Sequence, residues 1–263
     1  MLDRNPADRV DRLVPGDSEP EQRTRRAYTV EELTRLLEVC RTYPLASRGK
    51  VNKGGRPRSD GTKATVSKPS TLTPETIRKL TLKGQERELM YRLLLATGLR
   101  RGELSRVRAN MYNGNKLRLP KKILKHKPKH ITHVIIPVTP NLATDLTKFL
   151  TETGRTGEDK IIEVPCHSNG IREHKIRLKI ASIQYQTEAG FADIHATRAT
   201  MNSYLKKQGM TLELRQRFLR HTPRDITTAN YDPDNRQPLT FSSSKFYWIV
   251  DNLDKTITAE TKS

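Results

Sequence analysis

The sequence predicts a mainly α-helical protein with a small antiparallel β-sheet. Capped segments with apolar residues at helical spacing recur along the chain, as in Leu33, Leu36, Leu37 and Cys40, and again in Leu142, Leu146, Phe149 and Leu150. Strand-like patterning is confined to residues 116–119 and 130–138, with Val134, Ile135 and Ile136 in the second run. Heptad repeats and Gly-rich phosphate loops are missing.

A chain of 263 residues has room for one large or two small domains and for a sizeable core. Only 34% of it is apolar and 5% aromatic, so much of it must be solvated surface, loop or tail. Lys and Arg number 49 against 29 Asp and Glu, a formal charge of +20. That exceeds what solubility requires of a domain this size and points to a polyanionic partner, nucleic acid being the usual one. Cys40 and Cys166 carry no spacing motif, which favours a reducing compartment. No apolar run approaches ~18 residues and no signal peptide is present, so a cytoplasmic, nucleoid-associated location without membrane contact is expected.

Residues 1–27 hold six Arg and six acids among scattered Pro and Gly, the composition of a linker or arm. Thr29 and Glu32 form a capping box that opens the first helix. Residues 44–72 break all periodicity. Between 48 and 68 there are seven basic residues and one acid, which reads as a flexible basic insertion, and Arg56 and Arg58 in its Gly-Arg-Pro-Arg run add phosphate contacts. Thr73 caps the next helix, with Pro74 at its first position. Leu89, Met90, Leu93, Leu94 and Leu95 then make residues 86–96 helical and apolar on more than one side, hence core. Thr97-Gly98 ends that helix in a turn able to thrust Arg100 into the open.

The two strands should form a hairpin. Residues 116–129 contain seven Lys or Arg and no acid, so Lys121, Lys122, Lys125 and Lys127 are expected to face a phosphate backbone, together with Arg101. Thr139-Pro140 caps another helix. Residues 154–190 read as irregular, with a helix only over 177–182. Met201, Tyr204 and Leu205 mark a helix that begins near His195, and Leu212, Leu214, Phe218 and Leu219 a second that ends at His221. Residues 243–253 form a final helix with Phe246, Ile249, Val250 and Leu253 on one stripe, within a C-terminal segment spanning 241–263.

The chemistry concentrates between His195 and Tyr231. His195 and Arg198 are three apart, so on a helix they share a face. His221 and Tyr231 follow. Arg cannot ligate a metal and His221 lacks a partner at ligand spacing, so no metal and no cofactor is expected. Around a phosphate the set makes sense. A guanidinium fork matches phosphate oxygens, imidazole moves protons near neutral pH, and a phenol can attack phosphorus and hold it covalently.

These blocks resemble the tyrosine recombinase (phage integrase) family: a Thr-Gly-Leu-Arg-x-x-Glu run at residues 97–103, His-x-x-Arg at 195–198, then His221 and Tyr231. The resemblance covers residues 28–240 and implies that family's catalytic-domain fold. Arg100 and Arg198 would then clamp the non-bridging oxygens, His221 would donate a further bond, His195 would act as base and Tyr231 as nucleophile. The family also uses a hairpin Lys, usually eight residues before the Pro that ends the second strand. Counting from Pro137 gives Lys129, with Lys125 and Lys127 as rivals. The implied reaction cuts and rejoins DNA through a 3′-phosphotyrosyl link, with the protein a homo-oligomer on double-stranded DNA. Two departures stand out. The family's N-terminal clamping domain is not found before residue 28, and Thr197 occupies a position that is often Leu. Two alternatives therefore stay open: a DNA-binding remnant weak in catalysis, and a type IB topoisomerase-like relaxing enzyme.

Overall fold

The computed structural model describes residues 24–48, 72–125, 132–220 and 244–259. Helices dominate, and the sheets are two small antiparallel pairs.

Helix α1 (Val30–Ala46) starts at the expected box: the Glu32 amide donates to Thr29 Oγ1 at 3.2 Å and the Thr29 amide to Glu32 Oε2 at 3.0 Å. Its Leu33, Leu36, Leu37 and Cys40 are buried. It runs three residues into the segment read as an insertion, whose residues 49–71 lie outside the described residues. The two helical stretches read after Thr73 form one helix, α2 (Pro74–Thr97). Gly84 lets α1 and α2 touch, because a Cβ there would sit 2.0 Å from the Arg41 carbonyl oxygen. Beyond Gly84 the helix is buried on nearly every side, charged residues included. Each buried charge has a partner: Glu88 pairs with Arg41 at 2.8 Å and Glu86 with Arg155 at 2.7 Å.

After the short α3 (Arg101–Leu104), strands β1 (Lys116–Pro120) and β2 (His133–Pro137) pair antiparallel, with Lys116 opposite Pro137. Leu117 and Leu119 point into the core while Lys116 and Arg118 stay exposed, the period-2 pattern of a half-buried strand. Helix α4 (Pro140–Thr153) buries Leu142, Leu146 and Phe149, with Leu150 partly covered.

The region read as irregular contains a fourteen-residue helix, α5 (His167–Ile180), which starts ten residues before the helix expected over 177–182 and stops two residues short of its end. Its buried residues include His174 and Arg177, and its Ile171, Ile176 and Ile180 are exposed, so its periodicity is not carried by apolar residues. His174 sits between two phenols. Tyr91 donates to its Nδ1 at 2.7 Å, its Nε2 lies 2.7 Å from the Ala192 carbonyl, and Tyr28 donates to that carbonyl at 2.8 Å. Strands β3 (Gln186–Thr187) and β4 (Gly190–Phe191) follow. The last residues of the segment read as linker are docked: Arg25 bridges to Phe191 and Arg26 donates to the Gln184 carbonyl at 2.9 Å, while Tyr28, just after the segment, is buried.

Helices α6 (Ala196–Lys207) and α7 (Leu212–Leu219) match the two expected near the C-terminal motifs, but Leu212 and Leu214 are exposed and Arg215 is buried in their place. Helix α8 (Ser244–Ala259) packs on α1, α2 and α4 of its own chain. Ile249, Val250, Leu253 and Ile257 are buried, and Arg92 grips Asp254 through two bonds of 2.8 Å while reaching Asp145 at 2.7 Å. No helix among the described residues is long and apolar enough to cross a membrane.

Candidate active site

The site is built where α2 stops. Gly98 closes that helix in the left-handed region, at φ 58°, and a Cβ there would lie 3.0 Å from the Phe218 ring. Leu99 plunges into the core, and Arg100 becomes the N-cap of α3. The Arg100 amide donates to Glu103 Oε2 at 2.9 Å and its guanidinium to Oε1 at 3.2 Å. That Oε1 also accepts the Lys125 amide at 3.0 Å. One buried carboxylate therefore ties Arg100 to the basic segment that follows β1. Burial works to raise the Glu103 pKa, but the amides of Arg100 and Lys125 and the charges of Arg220 and Arg100 outweigh it and hold the carboxyl below its ordinary value. Arg100 does not stand free as the turn alone predicted, because its side chain is 17% exposed and clamped.

His195 caps α6. Asp193 fixes this helix start, accepting the Ala196 amide at 2.9 Å and the Arg25 Nε at 2.9 Å. One turn on, Arg198 is buried and donates to the carbonyls of Gly98 and Leu219, which links α6 to the ends of both α2 and α7. Thr197, the residue before Arg198, is also buried, and its hydroxyl donates to the Ile194 carbonyl at 2.9 Å. A polar residue in that packing position is thus satisfied locally.

A third guanidinium lies here that the motifs did not single out. Arg220 is the C-cap of α7, at φ 52°. It donates to the carbonyls of Thr97 at 3.1 Å, Phe218 at 3.2 Å and Gly98, and comes within 3.8 Å of Glu103 Oε2. The only sequence signal is a basic residue directly after a helix end. Arg198 and Arg220 share the Gly98 carbonyl, and Arg100 and Arg220 share Glu103, so the three form one cluster.

The electrostatics follow. Burial, then Arg198, Arg25 and Arg100, push His195 down to about 4 against the pull of Asp193. Burial and the neighbouring Arg220 and Arg100 lower Arg198 to about 9, and burial with Arg100 lowers Arg220 to about 10 despite Glu103. At neutral pH the cluster is therefore three cations, one carboxylate and a neutral imidazole.

The structure brings Arg100, His195 and Arg198 together. Lys121, Lys122 and Lys125 are exposed on the segment after β1, and the Lys125 amide joins that segment to Glu103. Arg101 instead braces α3, donating to the Pro165 carbonyl at 2.7 Å from a partly buried position. His221, Tyr231, Lys127, Lys129, Arg56 and Arg58 lie outside the described residues. Among the described residues no group of three His, Cys, Asp or Glu is placed to hold a metal ion.

No protein-family model matches the chain, and no curated protein matches it. Among solved structures, the chain is similar to the Tn1549 transposon integrase in complex with circular intermediate DNA. The two are 16% identical over 72% of this chain and 68% of that one, with a TM-score of 0.35.

Proposed function

We propose that the protein cleaves and rejoins DNA strands through a 3′-phosphotyrosyl intermediate, as a site-specific recombinase or integrase. One observation carries this reading. Arg100 and Arg198, from sequence blocks about a hundred residues apart, meet at the end of α2 beside His195, with a buried carboxylate holding the first of them. A metal-free attack on a phosphodiester needs that arrangement, because fixed cations must meet the charge developing on the phosphorane oxygens. The +20 net charge and the exposed Lys121, Lys122 and Lys125 supply the DNA-facing surface, and binding as a homo-oligomer belongs to the same proposal.

In the proposed step the Tyr231 phenolate oxygen bonds to phosphorus and the bond to the 5′ oxygen breaks. The phenol proton passes to His195, and the leaving 5′ oxygen takes a proton from Lys129. Arg100, Arg198 and His221 hold the phosphorane oxygens. The phosphotyrosyl bond keeps the energy for resealing, so no nucleotide is consumed. Burial and the neighbouring arginines, which push His195 down to about 4, make it by itself a weak base. A bound phosphodiester would offset the arginines that depress it and move it toward the useful range.

A second reading, DNA binding without chemistry, draws on one observation. Both terminal nitrogens of Arg198 already donate to main-chain carbonyls. A nicked suicide substrate separates the two. Wild type should form a protease-sensitive covalent DNA adduct, and Tyr231→Phe, which removes one oxygen and little packing, should bind DNA and form none. An adduct with the Phe variant would move the nucleophile elsewhere. DNA binding by both proteins with no adduct from either would establish the second reading.

A further inference from the structure

Arg220 has no part in the step just described, yet the fold commits to it. Its backbone is left-handed, a conformation shared among described non-glycine residues only with Ser182, and one that favours glycine. If its task were only to fasten α7 onto α2, it would be redundant, because Arg198 already bonds both Gly98 and Leu219. A third cation beside two others opposes folding by like-charge repulsion, and among the described residues the one carboxylate in the cluster, Glu103, pairs with Arg100 and Arg220 but not with Arg198. The surplus is two positive charges with no counter-charge among the described residues. The Arg220 Nε is buried and has no acceptor among the described residues. A guanidinium with a donor to spare, in a cluster short of negative charge, is built for an anion that arrives from outside.

We propose that Arg220 is a third anion ligand of the cleft, and that Arg100, Arg198 and Arg220 together take one tetrahedral oxyanion of the phosphate class. Inorganic phosphate as the dianion matches the surplus, and a backbone phosphodiester, which carries one charge in the ground state, gains its second as the phosphorane forms. This rests on the DNA-cleaving reading, in which the anion is a backbone phosphate, but inorganic phosphate has the same chemistry and the experiment treats the two sources separately.

The variants are Arg220→Gly, which suits the left-handed backbone, Arg220→Asn, which also tolerates it, and Arg220→Lys, which keeps a point charge without the fork. In the first arm, inorganic phosphate is titrated at constant ionic strength and the melting temperature is followed, because a ligand that binds only the folded state raises it. Wild type should be stabilised. Gly and Asn variants should weaken phosphate binding by at least about tenfold, the loss of one charge-assisted contact, while Lys should retain part of it. Wild-type affinity in the Gly or Asn variant overturns the proposal, as does a wild-type protein that phosphate does not stabilise. In the second arm, adduct formation on nicked DNA should be slower for Arg220→Gly than for wild type. If wild type forms no adduct but Arg220-dependent phosphate binding persists, the cleavage reading fails and the anion site stands.

Discussion

At the scale of single residues, Glu103 decides whether the cleft holds together. It is buried, it accepts two main-chain amides, and among the described residues it is the only carboxylate bonded to the arginine cluster. Its importance was legible, because a Glu three residues after Arg100 at a helix start reads as a clamp. Arg220 was not legible, because its role depends on a left-handed turn that brings it to the end of another helix. Glu103→Ala would leave Arg100 and Arg220 without their counter-charge and two amides without an acceptor. Breaking one partner out of such a buried pair typically costs about 3–5 kcal/mol. Urea unfolding should show a loss of that size for Glu103→Ala and a smaller one for Glu103→Gln, which keeps an acceptor oxygen. A Glu103→Ala protein within about 1 kcal/mol of wild type would mean that the cluster is held by its carbonyl contacts alone.

At the scale of elements, the helices readable from sequence are those whose start is a local event. Thr29 with Glu32, and Thr73 with Pro74, announce α1 and α2 because a cap needs only its own next three residues. Most of helix α5 escaped, because its inward face presents His174 and Arg177: His174 is satisfied by Tyr28 and Tyr91 from elsewhere in the chain, and Arg177 by Glu173 one turn earlier in the helix. Leu212 and Leu214 misled in the opposite sense. They are apolar and exposed, while Arg215, directly after them, is buried with Asn202 as acceptor at 2.8 Å. Gly84 was equally silent, since only the packed pair shows that α1 and α2 meet there. Gly84→Ala would drive a methyl group into the Arg41 carbonyl, which is main chain and cannot rotate aside. Separating the two helices should cost at least ~1–3 kcal/mol, outweighing the better helix propensity of Ala. An Ala variant with an unfolding midpoint equal to or above wild type would show that the contact is looser than the geometry requires.

At the scale of the whole molecule, a chain of net charge +20 also keeps two imidazoles neutral inside itself. Burial pushes His174 down to about 4, against the help of its bond to Ala192, and His195 is likewise near 4. The network assigns the His174 proton to Nε2, facing Ala192, so that Nδ1 can accept from Tyr91, and a second proton would force the buried Tyr91 hydroxyl to turn from donor to acceptor. The sign of the linkage follows. An unfolded His takes up its proton near pH 6.5, while the folded ones wait until about 4. Between those values the unfolded chain binds more protons, so stability falls as pH falls, by up to about 1.4 kcal/mol per pH unit for each His. Glu32, Glu103 and Glu173, all held below the ordinary carboxylate value, add a second loss that sets in only below pH ~4.5. The growing positive charge steepens both. Urea midpoints should therefore decline steadily from pH 7 to pH 4.5, before the carboxylates contribute. His174→Gln separates burial of an imidazole from the general charge effect. It lies outside the arginine cluster, and its amide can still donate to Ala192 and accept from Tyr91. The variant should lose stability at pH 7 yet show a shallower decline toward pH 4.5, by about one histidine's share. An unchanged slope would mean that His174 takes up its proton in the folded protein as readily as in water, and that the acid sensitivity comes from His195 and the net charge.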